Sequence, residues 1–500
     1  MLEQLVDGLL VAMQLENLIC GFFGVAVGIL VGVLPGLDAS TGVALLLPIT
    51  YTFGPIPALI MLCGIYQGGQ TGGAITAILA RIPGTSSAAA GMIEGNEMAK
   101  QGRAGAAIGM AIISSTIGGL FGILVLILLA TPLAKVAISF GPAEYFALGV
   151  FGLSIICSLT EKSMIKAIIS GCLGFLIATV GIDQFAGSPR FTFGQVELLS
   201  GVGLLPVFIG FFAGAEALRQ AETAFIPRKV LFEAKAKAML PTLKETTDSF
   251  FTMIRSSIIG AFIGVLPGAG STIAAFIGYA EGKRWSKHPE LYGTGYIEGV
   301  AAAEAADNAS VGGAMVPMLT LGIPGSGTTA VMLGALMVQG IQPGPDIFVK
   351  NAGLIYALYG GLLIACFMML IIGLGAARYF ALILKFPNSV LSAIILSLCV
   401  VGSYSTNNSL FDLGLLLACS VLGYFMLKGG IPITPLVLGY VLGPMVEMNL
   451  RRAMIVHNKD FFAVLENPVA GIFYALALFA LARPFFVFVA RRIRRVYIDR

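Results

Sequence analysis

Four short segments hold the residues best suited to chemistry. Gly32-Val33-Leu34-Pro35-Gly36 is followed by Asp38, Ser40 and Thr41. Arg81-Ile82-Pro83-Gly84 runs into Thr85, Ser86 and Ser87. Gly264-Val265-Leu266-Pro267-Gly268 is followed by Ser271 and Thr272, and Ile323-Pro324-Gly325 by Ser326, Thr328 and Thr329. Proline removes a backbone donor and breaks a helix; glycine permits the turn that follows. A helix restarting after such a break offers free N–H groups and a partial positive charge, and Ser and Thr hydroxyls add donors. Together they can hold a carboxylate without a buried arginine, while carbonyls freed before the break can coordinate Na⁺. Gly36, Ser40, Thr41, Gly84, Thr85, Ser86, Ser87, Gly268, Ser271, Thr272, Gly325, Ser326, Thr328 and Thr329 are therefore candidate substrate contacts. Packing kinks are the competing reading, because small residues also let membrane helices approach.

Ionisable groups near the breaks extend the set. Arg81 can attract an anionic substrate, pair with Asp38 or reach an interface. Asp38 and Asp307 are candidates for Na⁺ or a proton, with Asn308 as a neutral oxygen ligand. Glu304 and Asp307 can alternatively lie at the membrane surface. Glu94, Glu97 and Glu298 are expected in loops. Gln67, Gln70 and Thr71 read as polar glue between helices. Trp285, Tyr292 and Tyr296 read as an interfacial belt, and His288 and His457 as exposed. The seven cysteines have no pair spacing and are expected to be buried packing residues. No phosphate-binding Gly-x4-Gly-Lys-Ser/Thr, no His-Glu-x-x-His and no Gly-x-Ser-x-Gly occurs. No enzyme, no cofactor and no metal beyond a coupling Na⁺ is expected.

The elements that position these residues must be membrane helices. Of 500 residues, 57% are hydrophobic and 11% charged, with mean hydropathy +0.93. Soluble domains carry about 25% charged residues. Ala104 to Ala134 passes without one charge. The apolar runs are continuous, which excludes a β-barrel. The expected fold is an all-α polytopic membrane protein with about 10–13 transmembrane or re-entrant helices. No cleavable signal is evident, and Arg491, Arg492, Arg494, Arg495 and Arg500 place the C-terminus in the cytoplasm. A nucleic-acid partner is not expected from that tail.

The ordered recurrence of both motif types marks an internal duplication. It divides the chain into an N-terminal membrane repeat (1–215), a polar cytoplasmic linker (216–250), a C-terminal membrane repeat (251–447), and a final loop, helix and basic tail (448–500). Lys and Arg flank opposite motifs in the two halves: Lys100 and Arg103 follow the first Ile-Pro-Gly, whereas Arg255, Lys283, Arg284 and Lys287 flank the second Leu-Pro-Gly. That placement points to inverted repeats whose broken helices meet near mid-membrane.

Gly32 to Leu37, Leu47-Pro48-Ile49-Thr50, Tyr66-Gln67-Gly68-Gly69, Ile82-Pro83-Gly84 and Gly91-Met92 to Gly105 resemble the tripartite tricarboxylate transporter family, large membrane subunit. So do Gly264 to Thr272, Glu298 to Asn308 and Gly322 to Thr329, and the likeness covers nearly the whole chain. The resemblance implies a bacterial inner-membrane permease. Its partners would be a small membrane subunit and a periplasmic solute-binding protein. It would import citrate-like tricarboxylates or related organic acids by symport with Na⁺ or H⁺. An uncoupled carboxylate channel or gated pore is the alternative.

Overall fold

The computed structural model describes residues 2–158, 163–222, 240–268, 270–382 and 387–482. Most of the central linker (223–239) and the basic tail (483–500) lie outside the described residues. The described chain is almost wholly helical, with one two-stranded antiparallel pairing of Gly181–Ile182 with Pro189–Arg190. The helices are α1 (Leu2–Ala12), α2 (Leu15–Val33), α3 (Ala39–Leu46), α4 (Pro55–Ala80), α5 (Ala88–Lys100), α6 (Ala104–Ala137), α7 (Pro142–Ser158) and α8 (Met164–Ala178). They continue as α9 (Leu204–Glu222), α10 (Leu243–Val265), α11 (Gly270–Trp285), α12 (Ile297–Leu321) and α13 (Gly327–Val338). The last are α14 (Ala352–Leu382), α15 (Asn388–Asn407), α16 (Leu410–Lys428), α17 (Ile433–Val456) and α18 (Pro468–Ala482).

Among the described residues, seven helices are long and apolar enough to cross a membrane, and six more apolar helices have only 10–17 residues. Two long helices belong to neither class. α4 and α12, of 26 and 25 residues, carry Gln67, Gln70, Thr71, Glu304, Asp307 and Asn308, yet are buried along almost their whole length. A helix buried on every side sits at the centre of its bundle, so protein, not lipid, surrounds these polar groups.

The chain forms two compact units. One comprises residues 1–135 and 204–424 and contains all four break segments. In it α2 packs along α4, and α10 along α12. Both crossings need glycine. A Cβ on Gly32 would overlap the carbonyl oxygen of Gly69, and one on its counterpart Gly264 that of Ser310. These pairs deliver each Leu-Pro-Gly turn to the helix carrying the polar groups.

The ends of this unit are tied by specific bonds. Gln339, just after α13, donates to the carbonyl of Thr50, just before α4 (3.1 Å). Gln101, just after α5, donates to the carbonyl of Thr294, just before α12 (2.7 Å). Beside it Arg103 pairs with Glu245 at the start of α10. Thus α4 begins where α13 ends, and α12 begins where α5 ends.

The other unit comprises 136–203 and 425–500. In it α8 packs against α17, with Gly174 against Leu436 and Gly439 against Gly171. The loop after α8 is pinned to α17 by ions: Asp183 meets Arg190 (3.2 Å) and Arg451 (2.9 Å), and Arg190 meets Glu447 (2.7 Å). Cys172 is exposed, one position round α8 from the buried Gly171. That corrects the expectation that every cysteine is buried. The other cysteines whose side chains are described, at 20, 63, 366, 399 and 419, are buried.

Candidate functional site

Each break falls between two helices. α2 stops at Val33 and α3 starts at Ala39, with Asp38 as its N-cap, accepting from the Ala39 N–H (2.7 Å). α4 stops at Ala80, and Arg81 takes the left-handed conformation (φ 54°) that turns the chain back. The chain returns so far that the Gly84 N–H donates to the carbonyl of Gly73 (3.3 Å). A Cβ on Gly84 would overlap the Gly32 carbonyl, so the first two breaks touch. α10 stops at Val265, and the Gly268 N–H donates to the carbonyl of Gly325 (2.9 Å), joining the third break to the fourth. α13 then starts behind a reciprocal cap. Ser326 Oγ accepts from the Thr329 N–H (3.2 Å), and Thr329 Oγ1 from the Ser326 N–H (2.7 Å).

Side chains close the ring. Ser86 Oγ and Thr272 Oγ1 share a hydrogen bond (2.8 Å), as do Tyr66 Oη and Ser326 Oγ (3.0 Å). The Gln70 amide donates to Ser271 Oγ (2.5 Å), and Thr71 Oγ1 lies within reach of Asn308 Oδ1 (3.4 Å) and of the Gln67 carbonyl (3.3 Å). The contacts to Thr272, Ser326, Ser271 and Asn308 each join the first half of the chain to the second. Ser87 and Ser271 lie beside Asp307. Asp38, Gly36 and Ser86 are accessible, whereas Asp307 is 1% and Asn308 0% exposed. The arrangement is an accessible mouth over a buried acidic floor.

That floor holds several buried polar atoms, most of them acceptors, without hydrogen-bond partners. The carboxylate oxygens of Asp307 have only the Ser87 and Ser271 hydroxyls beside them, and the amide oxygens of Gln67 and Gln70 and the amide nitrogen of Asn308 are buried without a hydrogen-bond partner. A buried carboxylate without compensation costs several kcal/mol. A single proton satisfies one such oxygen, whereas a small cation satisfies several at once.

The expected residues divide accordingly. Ser86, Ser87, Ser271, Thr272, Ser326, Asp307 and Asn308 come together. Thr85 joins through Ser87 (3.1 Å). Thr41 turns to the carbonyl of Phe212 (3.5 Å), and Ser40 and Thr328 are buried. Arg81 is exposed and makes no ion pair among the described residues, so the pairing with Asp38 does not form. Glu304 and Asp307 are 2% and 1% exposed in mid-helix, which removes the membrane-surface reading.

Three expectations are corrected. Glu94 and Glu97 lie on α5 and Glu298 on α12, not in loops. Glu94 is fully buried because it receives the Tyr279 hydroxyl (2.7 Å) and the backbone N–H groups of Gly295 and Tyr296 (2.9 Å each). Glu298 accepts from Thr252 (2.5 Å) and Ser286 (2.6 Å). Tyr292 is buried between Tyr279 and Tyr296 and forms no belt, whereas Trp285 is 63% exposed. Tyr66 and Gln70 were not candidate site residues. Their spacing on α4 (i, i+4) puts both hydroxyl and amide on one face, but only the tertiary contact shows what that face meets. Glu216 and Gln220, at the start of the expected linker, are buried on α9, where Gln220 reaches the carbonyl of Pro35 (3.5 Å).

Comparison with known proteins identifies the family of the chain. The family described as Tripartite tricarboxylate transporter TctA family matches residues 18–438. An "Uncharacterized 52.8 kDa protein in TAR-I ttuC' 3'region" of Agrobacterium vitis is 39% identical over 478 residues, covering 96% of this chain and 95% of the relative. An "Uncharacterized protein in TAR-II ttuC' 3'region" of the same organism is 37% identical over 219 residues, 44% of this chain and 90% of the relative. No solved structure matches.

Proposed function

The chain belongs to the TctA family of tripartite tricarboxylate transporters, and on that premise we propose that it is the permease of a binding-protein-dependent, ion-coupled importer of citrate or related organic acids. The observation that carries this reading is the ring of hydrogen bonds between the two repeats around Asp307. Transporter sites lie at repeat interfaces, where broken helices face a cavity. The small membrane subunit and the periplasmic binding protein are the proposed partners, and the bacterial inner membrane the proposed location.

Two of the helix starts already carry their own caps, Asp38 on α3 and Ser326 on α13. α5 starts at Ser87 without a side-chain cap. The positive end of its backbone dipole, the accessible Ser86 and the exposed Arg81 are the proposed seat of a substrate carboxylate. The coupling cation, Na⁺ in preference to H⁺, sits at Asp307 with Asn308, Gln70, Ser87 and Ser271. The orphaned oxygens support this choice, because Na⁺ coordinates them together. Asp38, which caps α3 with one carboxylate oxygen and lies near enough to Asp307 to feel its charge, stays in the proposed cation set. The cation neutralises part of the anion's charge and lowers the cost of moving both through the protein.

Inversion of the repeats is supported by the end-to-end bonds: α4–α5 runs from the Thr50–Gln339 end to the Thr294–Gln101 end, and α12–α13 runs back. Reversed copies give two equivalent gates, as alternating access requires. The test is uptake of radiolabelled citrate into proteoliposomes holding this chain, the small subunit and the binding protein. Accumulation that needs both an inward Na⁺ gradient and the binding protein is expected. Flux that only runs downhill overturns the coupled reading in favour of a channel.

A further inference from the structure

Glu94 takes no part in the site described above, yet four donors from distant positions converge on it. Its carboxylate accepts from the Tyr279 hydroxyl (2.7 Å), from the N–H groups of Gly295 and Tyr296 (2.9 Å each) and from the Gly293 N–H. Gly293 and Gly295 both have φ +95°, a conformation that favours glycine and turns these N–H groups toward one point. They lie at the start of α12, whose own N-cap, Tyr296, supplies no side-chain acceptor. Glu94 thus caps α12 from another helix, and its carboxylate sits at the positive end of the helix dipole. Hydrogen bonds to a carboxylate are about twice as strong as those between neutral groups. Gln101 and Arg103 also tie that end, but both are exposed and water competes for their bonds, whereas Glu94 is 0% exposed.

From this fixing point α5 runs along α12 in one register. A Cβ on Gly299 would lie 2.6 Å from Glu94 Cγ, and one on Gly91 would lie 2.5 Å from Glu304 Oε1. One turn nearer the break, Ser87 lies beside Asp307. Successive turns of α5, at Glu94, Gly91 and Ser87, therefore meet Gly299, Glu304 and Asp307 in order, and the two helices are antiparallel. The glycines bring them so close that neither slides along the other without displacing a side chain. Ser87 is two turns from Glu94, roughly 10 Å along the helix, so a shift of α5 at Glu94 is felt at Asp307.

We propose that Glu94 is a positioning residue for the cation site: by capping α12 it sets the register of α5, and that register seats Ser87 at Asp307. Glu94 itself touches neither cation nor substrate. The proposal rests on the reading of Asp307 as the seat of the coupling cation.

The test follows the melting temperature of the purified full chain as NaCl replaces choline chloride at constant ionic strength. A ligand of the folded state raises the melting temperature once its concentration passes the dissociation constant, so the onset of the rise reports Na⁺ affinity without any transport assay. Glu94→Gln keeps the shape but sets an amide N–H₂ among N–H donors. It is expected to lower the melting temperature and to move the Na⁺ onset severalfold higher. Gly91→Ala leaves the Glu94 carboxylate in place and pushes α5 away from Glu304; it is expected to move the onset in the same direction. Asp183→Asn, in the other unit, is expected to leave the onset where it is. A lower melting temperature with an unmoved onset in Glu94→Gln would make Glu94 a structural cap only and overturn the proposal. Should Glu94→Gln fail to fold, Gly91→Ala decides by the same criterion. A wild-type chain whose melting temperature ignores Na⁺ would remove the cation reading itself, and the proposal with it.

Discussion

At the scale of single residues, the floor of the site separates two roles that resemble each other in sequence. Asp38 and Asp307 both lie in charge-poor stretches, yet one caps a helix through a backbone N–H and the other is buried with only the Ser87 and Ser271 hydroxyls beside it. Asp307→Asn keeps the shape and removes the charge. Its expected effect is a loss of Na⁺ affinity of about ten- to hundredfold, the equivalent of one charge-assisted contact of about 1.5–3 kcal/mol. The readout is the Na⁺ concentration for half-maximal citrate uptake; an unchanged value removes Asp307 from the cation site. Arg81→Gln addresses the anion instead. Arg81 is exposed in the turn that leads from α4 to α5 and carries no ion pair among the described residues. It should raise the KM for citrate severalfold while leaving the Na⁺ requirement and the thermal stability unchanged. A fall in stability with unaltered KM would make it a turn residue only.

At the scale of elements, the breaks and their glycine crossings set the geometry. Gly264→Val in α10 should be poorly tolerated, because its Cβ would enter the Ser310 carbonyl on α12. Overpacking typically costs about 1–3 kcal/mol, and separating α10 from α12 also parts Gly268 from Gly325. A markedly lower melting temperature and lost uptake are expected; wild-type behaviour in both would show that the crossing has room to spare. In the other unit, the loop after α8 offers a pH test. The backbone N–H groups of Ala186 and Phe185 (2.8 Å each) and the Arg451 guanidinium hold the Asp183 carboxyl down at about 2, below its ordinary 3.8. A depressed acid stabilises the fold above its unfolded pKa, and that contribution disappears as pH falls through the folded value. The wild-type chain should therefore lose thermal stability between about pH 4 and pH 2 more steeply than Asp183→Asn. Parallel slopes for the two proteins would show that this carboxylate does not govern acid unfolding.

The whole molecule shows what sequence could and could not convey. Membrane character and the helix ends at the four Pro-Gly pairs were legible because hydropathy and helix-breaking residues are local patterns. Glu94 was not. A glutamate near Lys100 and Arg103 reads as a loop residue until the donors that bury it, Tyr279, Gly295 and Tyr296, are brought from some two hundred positions away. Tyr66 and Gln70 were hidden for the same reason, since an amide among glycines looks like helix glue until its orphaned oxygen is found beside an acid. The repeats' direction, read from loop charge, can be tested by labelling. The end holding Gln101 and Thr294 gathers Lys100, Arg103, Lys244, Lys283, Arg284 and Lys287, while the end holding Thr50 and Gln339 offers only Lys350, paired with Asp346 (2.6 Å). Positive loops stay in the cytoplasm. A cysteine replacing Gly340 should react with an impermeant maleimide added to intact cells, and one replacing Gly293 only after permeabilisation. Five of the described cysteines are buried, so Cys172→Ser and Cys157→Ser give the quiet background this needs. Labelling of both positions from the same side would place both ends on one face of the membrane. The two repeats would then run parallel, and two mirrored gates could not form around Asp307.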